Sequence, residues 1–271
     1  MSDASLAAEQ LRRIFQSARA DHRHLMQPLL DLSEESEHLV VGYAAPHTGW
    51  NRGEDLIPYY HVLGKPGPTR SMRALLTAGW FGNEESASYT LFRLVAALEE
   101  KFQLVDGIEA TVYPIVNLDA REAMVVLTPE QRQNELSLWH NSLLRHIQVI
   151  EKELLRNTYD IVFRLEEDTK AEEFSALVWP ASPNHHRILL NALQKYQTTS
   201  PGFEWKIEDF NTPNDGRLTP IPQTSAQPSE ILLLLPGQLL AEQQAEEGIG
   251  LILSLLHTFR ENFQIAEQQS S

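Results

Sequence analysis

"EILLLLP" (230–236) is the segment that most restricts the folds open to this chain. It is a continuous apolar run with no polar face and is bounded by Ser and Pro, so it reads as a strand buried on both sides of a sheet. Such a strand needs a layer of structure above it and another below. Six further short runs suit the same sheet: "HLVVGYA" (38–44), "IPYYHVL" (57–63), "RALLTAG" (73–79), "IEATVYPIV" (108–116), "YDIVFRLEED" (159–168) and "EFSALVWP" (173–180).

Helical stretches alternate with these runs. "SASYTLFRLVAALEEKF" (86–102) falls between the third and fourth, and a long segment from Pro129 to about Arg156 follows the fourth. "SPNHHRILLNALQKYQ" (182–197) and "LLAEQQAEEGIGLILSLLHTFRENF" (239–263) complete the set. Pro129 and Pro183 suit first helical turns, where a missing N–H has no intrahelical partner to lose. The alternation predicts a three-layer α/β/α fold with a mixed central sheet. A broken apolar stripe (Leu6, Leu11, Ile14, Phe15, Ala18, Leu25, Leu29) predicts an N-terminal helix over 1–35 packed on a single domain at 36–265, with a frayed tail at 266–271. Residues 198–229, rich in Thr, Ser, Pro, Asn and Gly, read as a long irregular excursion.

Charge and composition remove several function classes. The net charge of −15 arises from 37 acidic against 22 basic residues, with no basic run, which argues against nucleic-acid and membrane partners. There is no cysteine, so thiolate nucleophiles, thiolate zinc sites and iron–sulfur clusters are excluded, and a metal site would draw on His, Asp or Glu. His22 with His24, and His185 with His186, have the wrong spacing for a helical metal pair. No P-loop, nucleophile elbow or dinucleotide fingerprint is present, and the glycines of "GIGLILSLL" (248–256) suit close helix packing. The first residues lack a secretory pattern, so a cytoplasmic location is expected.

In open α/β sheets, ligands gather beyond the C-terminal strand ends, where "GWFGNEE" (79–85) and "RLEEDT" (164–169) both fall. Taken in order, these two stretches resemble motifs of the zinc carboxypeptidase family, in its branch related to succinylglutamate desuccinylase and aspartoacylase. Phe81, Gly82, Asn83 and Glu84 match the family's His-Gly-Asn-Glu, and Leu165 to Thr169 match its Leu-His-Glu-Asp-Thr. "YPIVNLDARE" resembles its Pro-x-x-Asn-Pro segment, with Pro114 and Asn117 kept. "GEDLIPYYHVLG" (53–64) is similar to its early strand, and "LLPGQ" to the segment bearing its catalytic glutamate. The resemblance spans roughly residues 40 to 260 and implies a zinc carboxypeptidase-like, hydrolase-like fold.

The departures fall on the chemistry. A zinc site of this type needs two imidazoles and a carboxylate, with one position left for water. The resemblance places Phe81 and Glu166 where the imidazoles belong and leaves Glu84 as the one ligand type kept. Carboxylates without imidazole favour Mg²⁺ or Ca²⁺ over zinc, if they bind a metal at all. Leu234 falls at the catalytic glutamate and cannot take a proton. Glu230 shares its strand face but is displaced by roughly 13 Å at about 3.3 Å per residue. Of the family's substrate clamp, "EQRQNELSLW" (130–139) keeps Arg132 and Asn134, and Arg132 has the geometry to receive a carboxylate in bidentate fashion.

Each residue also has a plain reading. Phe81 is either a plug in a remnant pocket or an ordinary core aromatic, and Glu84 suits a helix start through the helix dipole alone. Glu166, Glu167 and Asp168 read as a solvated strand end or as a cluster that binds a cation. The expectation drawn from these residues is a catalytically degenerate carboxypeptidase-like protein without zinc or other cofactor. Its remnant pocket, at Phe81, Glu84, Asn117, Arg132, Glu166, Asp168 and Leu234, would take a peptide, an amino-acid derivative or a protein partner. The alternative is an active metallo-hydrolase, carboxypeptidase or deacylase, with a rearranged carboxylate-rich site. A third reading is an oligomerisation module built on the terminal helices, although the sequence leaves the oligomeric state open.

Overall fold

The computed structural model describes residues 3–16, 22–44, 56–65, 70–81, 84–118, 145–199, 204–207 and 228–268. Among them, eight strands form one sheet. The strands are β1 (Leu39–Ala44), β2 (Ile57–Leu63), β3 (Met72–Thr77), β4 (Ile108–Tyr113), β5 (Ile161–Asp168), β6 (Ser175–Trp179), β7 (Glu204–Ile207) and β8 (Ser229–Pro236). Their order is β1-β2-β4-β3-β5-β8-β6-β7. The middle four, β4-β3-β5-β8, are parallel, while β1, β2 and β6 introduce antiparallel pairs. This is the mixed sheet expected. The innermost strands are largely buried on both faces, as parallel sheets require.

The first face carries α1 (Asp3–Gln16), α2 (His22–Glu35), α3 (Glu85–Glu100), α5 (Pro183–Thr199) and α6 (Ala241–Gln268). Of these, α3 lies deepest, between the sheet and the helices α1 and α6, so even its Ser86, Ser88 and Thr90 are buried. Phe92, Phe163, Phe259, Leu76 of β3, Leu165 of β5 and Leu233 and Leu235 of β8 fill this layer. Each such side chain contributes about 1.5–3 kcal/mol through burial. The second face carries α4 (Arg145–Arg156) over a smaller cluster of Leu75, Trp80, Phe81, Tyr113, Ile147, Ile150 and Val162. Its Glu153 accepts the hydroxyls of Tyr113 (3.2 Å) and Tyr159 and the Asn157 side-chain amide (2.7 Å), which fastens the helix to the sheet. Burial, first of all, holds both phenols far above their ordinary pKa, so they remain donors.

The structure corrects three readings of local structure. The one helix expected over 1–35 is two, α1 and α2, joined by residues outside those described. Residues 198–229 contain a four-residue edge strand, β7, which pairs parallel to β6. The last helix extends to Gln268, into the stretch read as a tail. The helical segment expected from Pro129 is described only from Arg145 onward. No helix among the described residues is long and apolar enough to cross a membrane.

Candidate functional site

Strand β3 ends at Thr77, and the chain turns sharply through Gly79, whose φ of 66° lies in the left-handed region. A side chain there would also meet Ser88 Oγ at 2.8 Å and Ile115 Cα at 3.0 Å, so only glycine fits. The turn is zipped to the end of β4: Ala78 N donates to Tyr113 O, Val116 N to Ala78 O, and Asn117 N to Gly79 O at 2.9 Å. Asn117, itself buried, donates from Nδ2 to Trp80 O at 3.0 Å. Glu84, at the start of α3, makes no side-chain cap. Its Oε2 instead turns back to accept Trp80 N at 3.1 Å. Glu84 and Asn117 thus hold the two ends of one turn, which presents Trp80 and Phe81, each 1% exposed, to the second-face cluster. The Trp80 ring meets His146 of α4 edge to face at 6.1 Å.

One step across the sheet lies a second group. Thr77 is in register with Arg164 of β5, so their side chains share the second face. The Thr77 hydroxyl donates to Phe163 O and accepts Trp80 Nε1, each at 3.2 Å, and so joins the turn to β5. Arg164 is buried, with 1% exposure, and two residues later Glu166 is 9% exposed on the same face. Arg164 Nε lies 3.0 Å from Glu166 Oε1, within ion-pair distance. The N–H is not aligned on the oxygen as a hydrogen bond, and among the described residues Arg164 Nη1 is also buried without an acceptor. An unmet buried donor of this kind costs about 1–3 kcal/mol. Leu234 of β8, half-buried, stands in register beside Glu166, and Leu232 beside Arg164. Asp168 is exposed and closes a turn by accepting Lys170 N at 2.9 Å. Gly237, where a Cβ would meet Thr169 Cα at 2.5 Å, lets the ends of β5 and β8 meet.

The structure therefore gathers Phe81, Glu84 and Asn117 around one turn and sets Glu166, Leu234 and Asp168 along the adjoining strand ends. Gly82, Asn83, Arg132 and Asn134 lie outside the described residues. Glu230 is fully buried beside Val162, four residues before Leu234. Glu166 departs from the solvated-strand-end reading because Arg164 faces it from the same strand. Sequence reasoning passed over Arg164, Thr77 and Trp80. A lone arginine two residues before an acid, inside an apolar strand, was the available signal for the first. His185 is a packing residue, with Nδ1 3.0 Å from Ser229 Oγ and its ring against Phe259. Burial lowers its pKa. A groove of about 450 Å³ between α1 and α2, bordered by Arg13, Ile14, His24 and Asp31, contains none of the expected site residues.

No family model matches the chain, and no curated protein matches it in sequence. Solved structures do match its fold. A metallo-carboxypeptidase of Burkholderia cenocepacia superposes with a TM-score of 0.68 at 12% identity, covering 90% of this chain and 70% of that one. A metallo-carboxypeptidase of Pseudomonas aeruginosa, solved with (2-guanidinoethylmercapto)succinic acid, gives 0.60 at 12% identity, over 88% and 69%. Thrombin activatable fibrinolysis inhibitor gives 0.63 at 10% identity, over 89% and 74%. At such identities the likeness is one of fold, and the fold is that of the metallo-carboxypeptidases.

Proposed function

We propose that this carboxypeptidase-like chain is catalytically degenerate, does not hold zinc, and uses its strand-end site to bind a peptide, an amino-acid derivative or a protein partner. The observation that carries the reading is Phe81, which stands at the resemblance's first imidazole position and is buried among Trp80, Val116 and Ile147. A phenyl ring has no lone pair to offer a metal.

The remaining donors support the same reading. Glu84 Oε2 receives the Trp80 amide, and Glu166 faces the Arg164 guanidinium, whose positive charge opposes a second cation. Among the described residues, no three His, Asp or Glu side chains come together in a metal-holding group. This donor set does not fit zinc. Leu234, at the position of the family's general base, supplies none.

The test is zinc uptake, with elemental analysis of the purified protein after zinc incubation set beside calorimetric titration. The expected result is far less than one zinc per chain. Stoichiometric zinc that is lost in Glu84→Gln or Glu166→Gln would overturn the proposal and favour a working metallo-hydrolase built on carboxylates.

A further inference from the structure

We infer that Arg164 makes the strand-end site a receptor for a small carboxylate with an apolar body, and that Glu166 is the internal anion such a ligand displaces. This rests on the zinc-free reading above and adds a ligand class and a recognising residue to it.

Among the described residues, Arg164 is the one arginine or lysine that is fully buried. A buried guanidinium normally has its donors bonded, because each N–H removed from water needs an acceptor. Arg164 departs from this. Its Nε approaches Glu166 Oε1 at 3.0 Å without hydrogen-bond alignment, and its Nη1 meets no acceptor among the described residues. The Glu166 oxygen is correspondingly without an aligned donor. The pair is therefore matched in charge but poorly bonded, and a carboxylate that presents two oxygens to the guanidinium edge satisfies what Glu166 leaves unmet.

Other buried polar atoms also lack partners, such as the Tyr60 hydroxyl and Arg260 Nε, but the phenol lies on the first face against Phe92, and Arg260 is only partly buried and donates from Nη1 to the Asp106 carbonyl. Arg164 instead sits toward the C-terminal end of β5, beside Thr77 on one side and Leu232 on the other, with Leu234 one step further. Leucine walls around one cation suit an apolar body attached to a single anionic group. With a net charge of −15, the protein's overall field repels anions, so attraction must come from this local guanidinium.

Phenylacetate and its uncharged analogue phenylacetamide are suitable probes, titrated calorimetrically and by thermal shift into wild type, Glu166→Gln, Arg164→Lys and Arg164→Met. Phenylacetate is expected to bind at least about tenfold more tightly than the amide, and Arg164→Lys to lose about tenfold by removing the planar fork. Arg164→Met should abolish the discrimination. Glu166→Gln should bind phenylacetate more tightly than wild type, because the competing anion is gone, and should gain more in Tm when it is added. Equal binding of acid and amide, or weaker phenylacetate binding in Glu166→Gln, would overturn the inference. If Arg164→Met fails to fold, the Glu166→Gln and Arg164→Lys results still decide. Zinc uptake measured on the same preparations separates the two failures. Stoichiometric zinc defeats the underlying reading, whereas zinc-free protein that ignores phenylacetate defeats this inference alone.

Discussion

Strand β5 has an arginine–carboxylate pair at each end, and the two are built on opposite terms. At its foot, Asp160 receives Arg70 in bidentate fashion at 2.7 and 3.0 Å and also accepts the Arg73 backbone N–H at 2.8 Å. Arg70 is half exposed, so water and protein together satisfy the pair. At the head, Arg164 and Glu166 are buried and joined by one misaligned contact. The foot pair ties β3 to β5, and the Asp160 carbonyl accepts Ser229 N of β8, so this end is a fastening. Among the described residues, the head pair fastens nothing beyond its own strand. Where an ion pair is well bonded and partly wet it serves the fold, and where it is dry and under-bonded the fold is bearing a cost for another purpose.

The comparison can be tested by breaking each pair. Glu166→Ala leaves a buried guanidinium uncompensated and is expected to cost about 3–5 kcal/mol in chemical denaturation. Replacing both partners with Arg164→Met and Glu166→Leu should recover most of that loss, since apolar residues of similar volume are often neutral or better. A fastening would not recover in this way. At the foot, Asp160→Asn should cost about 1.5–3 kcal/mol, because charged hydrogen bonds to Arg70 and Arg73 weaken together. Arg70→Ala should cost only about 0.2–1 kcal/mol, as exposed pairs do.

The smallest effect is one of pH. Burial is the leading cause lowering the pKa of His61, His185 and His257 below 6.5, so each takes up a proton less readily in the fold than when unfolded. Their contribution to stability is fully present above pH 6.5 and is lost as pH falls through their folded values. The Tm should therefore decline on acidification below pH 6.5. Asp160 opposes the shift at His185, so Asp160→Asn should lower the His185 pKa further, as an NMR titration would read.

Strands whose apolar run has one meaning were legible from residues alone. The range 57–63 was read as a strand and is one, and "EILLLLP" is the doubly buried strand its composition demands. The edge strand β7 was missed because "EWKI" alternates over only four residues and is stabilised by β6, a partner distant in sequence. The two N-terminal helices were read as one because both carry a stripe of the same period, and the stripe does not encode the break between them. At the site, the motif positions were readable, but the meaning of Glu166 was not. It depends on Arg164 turning the same way in a stretch of strand where both side chains are buried. Trp80 and Thr77 gained their roles from hydrogen bonds that the Gly79 turn creates.

The strand order has a consequence for how the chain is made. Strands β3, β5 and β8 are adjacent in the sheet but arise from residues 72–77, 161–168 and 229–236. On a ribosome, β1 to β4 can pair with α3 against them while the open side of β3 still waits for β5, which is made much later. Synthesis runs at roughly 5–20 residues per second, so that bare apolar edge persists for seconds, and the edge of β5 then waits in its turn for β8. Fragments that stop between β4 and β5 would present an open parallel edge to one another. The time for which that edge stands open is set by the order of synthesis and not by the stability of the completed protein.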